Sequence, residues 1–278
     1  MRNIRVITDS ACDLSEELVK AYEITVVPLN VHFGEEMFLD RSMKNSEFYR
    51  QMSLSEKLPK TSPPSTETFL ESYKGYEDLI VITISSKLSQ TYYNASLAKI
   101  MCEEDNRKRK IVVIDSQLAS APQGQLVIAA AKLIRTGRSF EEIVDILETI
   151  KTQVVSYGML DTLRNVSEGG KVNSLTGRIA DTLDFKVILD TGNDNVNPVC
   201  KVKGYNNALI KIQKLICDRC TDTNKKSLFI GHANNLQKAI DMKNTMTTCN
   251  NFASINIVEV GATMGTYAGE GFILASVL

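Results

Sequence analysis

The sequence predicts an α/β protein of two units, the first a mainly parallel sheet flanked by helices and the second a smaller mixed-sheet α/β unit. Three observations carry this. Short, nearly continuous apolar runs rich in Val and Ile alternate with helical patterns through the first half, as strands covered on both faces do. Three of those runs end in Asp, Ser or Thr, the residues that strands of a parallel sheet place where the chain turns into a helix. Near Gln153 the pattern changes, which sets the expected boundaries at 1–152 and 153–278.

Residues 4–8 read as the first strand, 15–21 as a helix, and 24–33 as one bent strand or two. Residues 79–84 and 111–114 are further strands. Ser65 stands where it can cap a helix containing Phe69 and Tyr73. Ser139 and Glu142 form a capping box, and Phe140, Ile143, Val144, Leu147 and Ile150 follow at helical spacing, giving a surface helix with one buried stripe. Past Gln153 come a strand over 154–160 and short helices around Gly169 and Gly170. An extended pair over 186–189 and 199–202 is joined by TGNDNVNP, which is dense in turn formers. Ala208, Leu209, Ile212, Leu215 and Ile216 mark a helix, 228–230 a strand and 236–246 another helix, with final strands over 255–260 and 272–277. No internal repeat is present.

A chain of 278 residues with 43% hydrophobic content can bury a substantial core. Its net charge of -1, with Lys and Arg dispersed, lacks the basic footprint that nucleic acid requires. The apolar stretch in MRNIRVITDS is too short and too interrupted for a signal peptide, and no run approaches a membrane span, so a cytoplasmic protein without stable membrane insertion is expected. Of six cysteines only Cys217 and Cys220 form a CxxC, at the end of a predicted helix rather than the start where a redox pair belongs. Neither they nor the two histidines complete a zinc ligand set, so no metal is expected.

The polar strand ends are Thr8-Asp9-Ser10, Ser85-Ser86 and Asp115-Ser116. In a parallel sheet they fall along one edge, where they either form a shared cleft or cap the helices that follow. An α/β enzyme acting on a small carboxylate or phosphorylated metabolite would use Asp9, Asp115 or His232 there. No nucleophile motif stands beside His32 or His232, so no catalytic residue is assigned. In the segment PKTSPPS, from Pro59 to Ser65, two prolines stiffen a loop rich in hydroxyls. In SSKLSQTYYNAS, Ser89 stands where a helix should begin, and the amides of Gln90, Thr91 and Tyr92 would face an anion together with the helix dipole. Neither GxxxxGK[ST] nor GxGxxG is present, which disfavours nucleotide phosphate and leaves a single carboxylate as the fitting anion. Near the C-terminus GTYAGEG reads either as a loop approaching a ligand through Gly265, Gly269 and Gly271 or as a tight turn.

Taken in order, VITDSACDL, VVPLNV, TSPPS, ISSKLSQTY, VIDSQLASAPQGQ, DTLRNVSEGGKV, FKVIL and GTYAGEG resemble the DegV family along essentially the whole chain. The resemblance implies two α/β domains and a long-chain fatty acid in a buried pocket. Its carboxylate would be held by the hydroxyls of Thr61 and Ser89 and by backbone donors near Ser62 and Gln90, with no other cofactor. It further implies a non-catalytic binding subunit that presents the acyl group to the ATP-binding subunit of a fatty acid kinase, which makes acyl phosphate. This chain departs from the pattern at Tyr267, where many relatives carry a carboxylate-touching histidine: a phenol donates a hydrogen bond but brings no charge. Lys171 and Lys203, candidate contacts with the kinase, stand where arginine is usual, and lysine lacks the bidentate fork of arginine.

Overall fold

Ile7 and Val81 turn to one face of a parallel sheet and Val6, Ile80 and Ile82 to the other, and all five are buried, which is why their segments read as unbroken apolar runs. The computed structural model describes residues 3–105, 109–161, 164–169, 185–192 and 196–278. The first half runs β1 (Ile4–Asp9), α1 (Glu16–Ala21), β2 (Thr25–Val27), β3 (Asn30–Phe33), β4 (Glu36–Leu39), α2 (Asn45–Leu54), β5 (Lys60–Ser62), α3 (Thr66–Ser72), β6 (Asp78–Thr83), α4 (Thr91–Asp105), β7 (Ile111–Asp115), α5 (Ala121–Arg135) and α6 (Phe140–Ile150). The second runs β8 (Val155–Leu160), α7 (Arg164–Glu168), β9 (Phe185–Asp190), β10 (Asn197–Lys203), α8 (Tyr205–Arg219), β11 (Ser227–His232), α9 (Leu236–Thr247), β12 (Ser254–Glu259), α10 (Ala262–Ala268) and β13 (Ile273–Val277).

The four-stranded sheet has the order β2-β1-β6-β7 and is parallel throughout. Phe69 of α3, Tyr73 just past its end, and Ala95 and Ala98 of α4 cover one face, while α5 and α6 cover the other. The six-stranded sheet, β10-β9-β8-β13-β11-β12, is antiparallel except for the β11 and β12 pair. This is the α/β architecture the strand pattern predicts. Ser15, Ser65 and Ser139 cap α1, α3 and α6 as expected, the last with the reciprocal Glu142 bond of a capping box.

Residues 24–33 become two strands in different sheets, because Pro28 interrupts the ladder. The second of them, β3, joins β4 and β5 in a small antiparallel sheet of order β4-β3-β5. The sequence reading assigned nothing to β4 or α2. Three of the four β4 residues are exposed, and α2 is preceded by Lys44, which gives no side-chain cap, so neither carries its usual signal.

The helix α5 lies between the two large sheets. Ten of its residues are buried, and it touches β1 and β6 on one side and β11 and β13 on the other. Gly124 makes this possible at its first turn, since a Cβ there would stand 2.5 Å from the Cys12 carbonyl oxygen. Gln125 ties the helix to the second sheet: its Nε2 donates to the Ser227 carbonyl at 2.7 Å and its Oε1 accepts from Ser276 Oγ at 2.7 Å.

Candidate functional site

Strand β5 pairs with β3 so that Thr61 faces Val31 and Ser62 faces Asn30. Side chains alternate along a strand, so these two residues point to opposite faces. Thr61 turns toward α10, where its hydroxyl meets the Tyr267 phenol at 2.8 Å. The Ser62 hydroxyl instead contacts Asn30 Nδ2 at 3.2 Å and His32 Nε2 at 2.9 Å, so its side chain is engaged away from Thr61. His32, to which the sequence assigns no catalytic role, thus engages the Ser62 hydroxyl. The two prolines hold the loop from both sides: Pro63 accepts from Asn30 Nδ2 at 3.2 Å and Pro64 from Asn94 Nδ2 of α4 at 2.8 Å.

Ser89 does not open the helix. The Ser89 amide bonds the Ser85 carbonyl at 3.1 Å, and α4 begins two residues later at Thr91. The Ser89 hydroxyl accepts from the Thr91 amide at 3.3 Å and meets the Thr91 hydroxyl at 2.8 Å, as a helix cap would. Of the three amides expected to be open, that of Thr91 is therefore already taken.

The terminal GTYAGEG is neither an open loop nor a simple turn. Gly265, Thr266 and Tyr267 lie within α10, and only Gly269 and Gly271, at φ 77 and 83, use the left-handed freedom of glycine. Gly265 serves close packing instead, since a Cβ there would sit 2.8 Å from the Tyr49 Cζ. Thr263, Met264, Tyr267 and Ala268 share one face of this helix.

These pieces converge on one cavity of about 190 Å3. Thr61, Ser62, Ser89, Gln90 and Tyr267 all line it, so the structure brings together the five residues singled out for a carboxylate. Most of the remaining wall is apolar. The first half supplies Leu29, Ile84, Leu88 and Leu118, and the second supplies Leu160, Val166, Leu189, Val196, Phe272 and Leu274. No Lys, Arg, His, Asp or Glu lines it among the described residues. A single anionic head can be held there by neutral donors, whereas a multiply charged metabolite would lack counter-ions. Lys203 ends β10, paired in register with Phe185 and outside the lining, while Lys171 lies outside the described residues.

The charged residues at the sheet edge serve the fold. Asp9 is wholly buried and accepts from the amides of Ala11 at 3.1 Å and Ile84 at 2.7 Å and from Gln123 Nε2 at 3.1 Å; burial outweighs these bonds and lifts its carboxyl to about 6. Asp115 caps the amides of Ser86 and Gln117. His232 accepts from the Asn235 amide at 3.3 Å, and burial lowers its pKa against the pull of Glu259. None of the three lines the cavity. The polar strand ends do fall along one edge, where Asp9 caps the short turn after β1 and Asp115 holds the loops after β6 and β7.

Two residues that the sequence reading did not single out stand behind the cavity wall. Asp13 accepts from the Gly261 amide at 2.8 Å and from the Ser120 hydroxyl, and Asp40 accepts from Ser10 Oγ at 2.7 Å. Burial pushes Asp13 up to about 8 despite those bonds, and it raises Asp40 as well. Neither position carries a motif: Asp13 meets Ser120 and Gly261 across more than a hundred residues of chain, and Asp40 meets Ser10 across 30. Among the described residues no cluster of His, Cys, Asp and Glu could hold a metal ion, and no helix is long and apolar enough to cross a membrane.

A model of the DegV family, described as an uncharacterised protein family, matches residues 3–277. A DegV domain-containing protein of Halalkalibacterium halodurans is 29% identical over 279 residues, covering 98% of this chain and 97% of its own length. Among solved structures, a DegV-family protein from Ruminococcus gnavus with vaccenic acid superposes with a TM-score of 0.91 at 26% identity, over 98% of this chain and 99% of that one. The fatty acid kinase (Fak) B3 protein of Streptococcus pneumoniae, loaded with linoleic acid, shares the fold with a TM-score of 0.88 at 22% identity, over 99% and 98% of the two chains. Matched by that family model over residues 3–277 and superposing on DegV-family structures along nearly its whole length, this chain belongs to the DegV family.

Proposed function

We propose that this protein binds a long-chain fatty acid in the cavity between its two sheets and is a carrier without chemistry of its own. The observation that carries the reading is a cavity, without charged side chains among the described residues, in which hydroxyls of Thr61, Ser89 and Tyr267 meet a largely apolar wall. Each methylene withdrawn from water contributes about 0.8 kcal/mol, so an acyl tail partitions into such a wall strongly. The carboxylate needs donors, since a buried unpaired anion would be costly. Thr61, Ser89 and Tyr267 supply hydroxyls, and the chain at Ser62 and Gln90 supplies amides. The division at residue 152 would let each unit contribute one wall.

The neighbour that is a fatty acid kinase B3 protein supports a partner of the same kind here, a kinase subunit that holds ATP and takes the acyl carboxylate as phosphate acceptor in the cytoplasm. Lys203 and Lys171 are the positions assigned to that contact. Protein purified from cells and sprayed under native conditions should carry a mass increment matching a fatty acid, released on extraction. Protein that arrives empty and takes up neither oleate nor palmitate overturns the reading.

A further inference from the structure

Ser120 is a strained residue beside the cavity. Its backbone stands at φ 59 and ψ -145, a region nearly closed to residues with a Cβ, yet it opens α5 and lines the pocket. A conformation of that kind persists only when its surroundings hold it. Two bonds do so: the Ser120 amide donates to the Ala11 carbonyl at 2.7 Å, and the Ser120 hydroxyl meets Asp13. The other oxygen of Asp13 receives the Gly261 amide at the start of α10. One buried carboxyl thus joins the entry of α5 to the entry of α10.

Asp40 stands at the same point. The place a Gly261 Cβ would occupy is 3.2 Å from Asp13 Oδ1 and 3.4 Å from Asp40 Oδ1, and the two residues are 5% and 2% exposed. The bonds from Ser120 and Gly261 favour a charged Asp13, but burial outweighs them, so ionisation drives the dry carboxylate toward water, and the charge of Asp40 adds repulsion. The surrounding titratable groups do little to relieve this. Asp9 and Cys12 come from β1 and the turn after it, Tyr49 from α2 and Glu259 from β12, and all of these are acids. Arg41, whose guanidinium donates to the Leu14 carbonyl at 2.6 Å, is the cation acting on the pair.

We infer that Asp13 is a positioning residue of the acyl site: uncharged, it clips Ser120 to the first turn of α10 and so holds Tyr267 against Thr61, and ionisation of the Asp13 and Asp40 pair loosens that clip. The helix is a short lever, with Tyr267 six residues beyond Gly261, about 9 Å along the axis. Burial favours the neutral form of Asp13 up to about pH 8, so the loosening belongs to the alkaline side. When Asp13 carries a proton, its contact with Ser120 can run from carboxyl to hydroxyl, and the link survives in either direction. This inference rests on the fatty-acid reading for its consequence, but not for the clip itself.

The test compares the whole protein with Asp13→Asn, a neutral isostere, between about pH 6.5 and about pH 9. Oleate affinity of the wild type should weaken about tenfold across that range relative to the variant, the equivalent of one pKa unit of coupling. Hydrogen exchange of the amides from Gly261 to Tyr267, measured without ligand, should accelerate in the wild type beyond the rate seen in Asp13→Asn at the same pH. Asp40→Asn removes the repelling partner while keeping the Asp13 bonds, and it should flatten the same profile, which keeps the test alive if the first variant folds poorly. An identical pH profile in wild type and variants, or exchange over 261–267 that is the same in all three, overturns the inference. Failure to bind oleate at any pH would count against the fatty-acid reading alone, and the exchange data would still decide the clip.

Discussion

The phenol of Tyr267 and the hydroxyl of Thr61 meet at 2.8 Å across 206 residues of chain, one from a helix of the second half and one from an edge strand of the first. Each is a donor and an acceptor, so while they bond each other at most one of their two hydroxyl hydrogens can turn to a carboxylate. Ser89 must supply the next. Thr61→Ala combined with Ser89→Ala should therefore weaken oleate binding by more than ~1 kcal/mol, with hydrogen bonds to a charged group lost. Titration calorimetry checks this, and an unchanged affinity would move the carboxylate elsewhere.

The apolar wall makes a separate claim about chain length. Across saturated acids short enough to fit, affinity should rise by about 0.8 kcal/mol per methylene, close to fourfold each. Val196 lines the cavity from the second half and is only partly buried, so Val196→Trp can fill space there without wrecking the core. In that variant the longest acids should lose affinity and the shorter ones keep it. A length profile identical to that of the wild type would mean that the tail runs elsewhere.

Stability should fall as the solution becomes alkaline. Folding raises the carboxyls of Asp9 to about 6 and Asp13 to about 8 and lifts Asp40 as well, whereas an unfolded aspartate ionises near 4. The folded chain thus holds more protons than the unfolded one between about pH 4 and about pH 8, and stability declines through that window. Calorimetry at a series of pH values should show the melting temperature dropping from pH 6 to pH 8, with a shallower drop in Asp13→Asn. A melting temperature that climbs over the same interval contradicts the buried neutral state.

Gly265 offers a test of packing alone. Gly265→Ala drives a methyl into the Tyr49 ring, whose phenol donates to the Val260 carbonyl at 3.1 Å and cannot retreat without breaking that bond. Overpacking of this kind costs about 1–3 kcal/mol, even though alanine is the better helix former. Denaturant unfolding measures it, and a stabilised variant would show that α10 sits less tightly than described.

The sequence made the parallel sheet legible because β1, β6 and β7 hide both faces and so read as unbroken apolar runs. Thr61 and Ser89 were legible through local chemistry: prolines stiffen one loop, and a serine precedes a helix. What stayed hidden depends on contacts between distant segments. Asp13 and Asp40 look like surface turn residues until Gly261 and Ser120 arrive beside them. Tyr267 was read in a loop because three glycines surround it, yet Gly265 is there for the Tyr49 ring, and a spacing pattern does not distinguish close approach from an unusual dihedral. The start of α4 slipped by two residues because Ser89 caps the helix rather than entering it.

The burial of α5 between the two large sheets bears on how a lipid gets in and out. One continuous hydrophobic cluster includes Ile80 and Ile82 of β6, Leu126 and Val127 of α5 and Phe229 of β11. Swinging the halves apart like a clamshell would wet both sides of that rod at once, so a route by small local displacements at the rim would expose far less apolar surface.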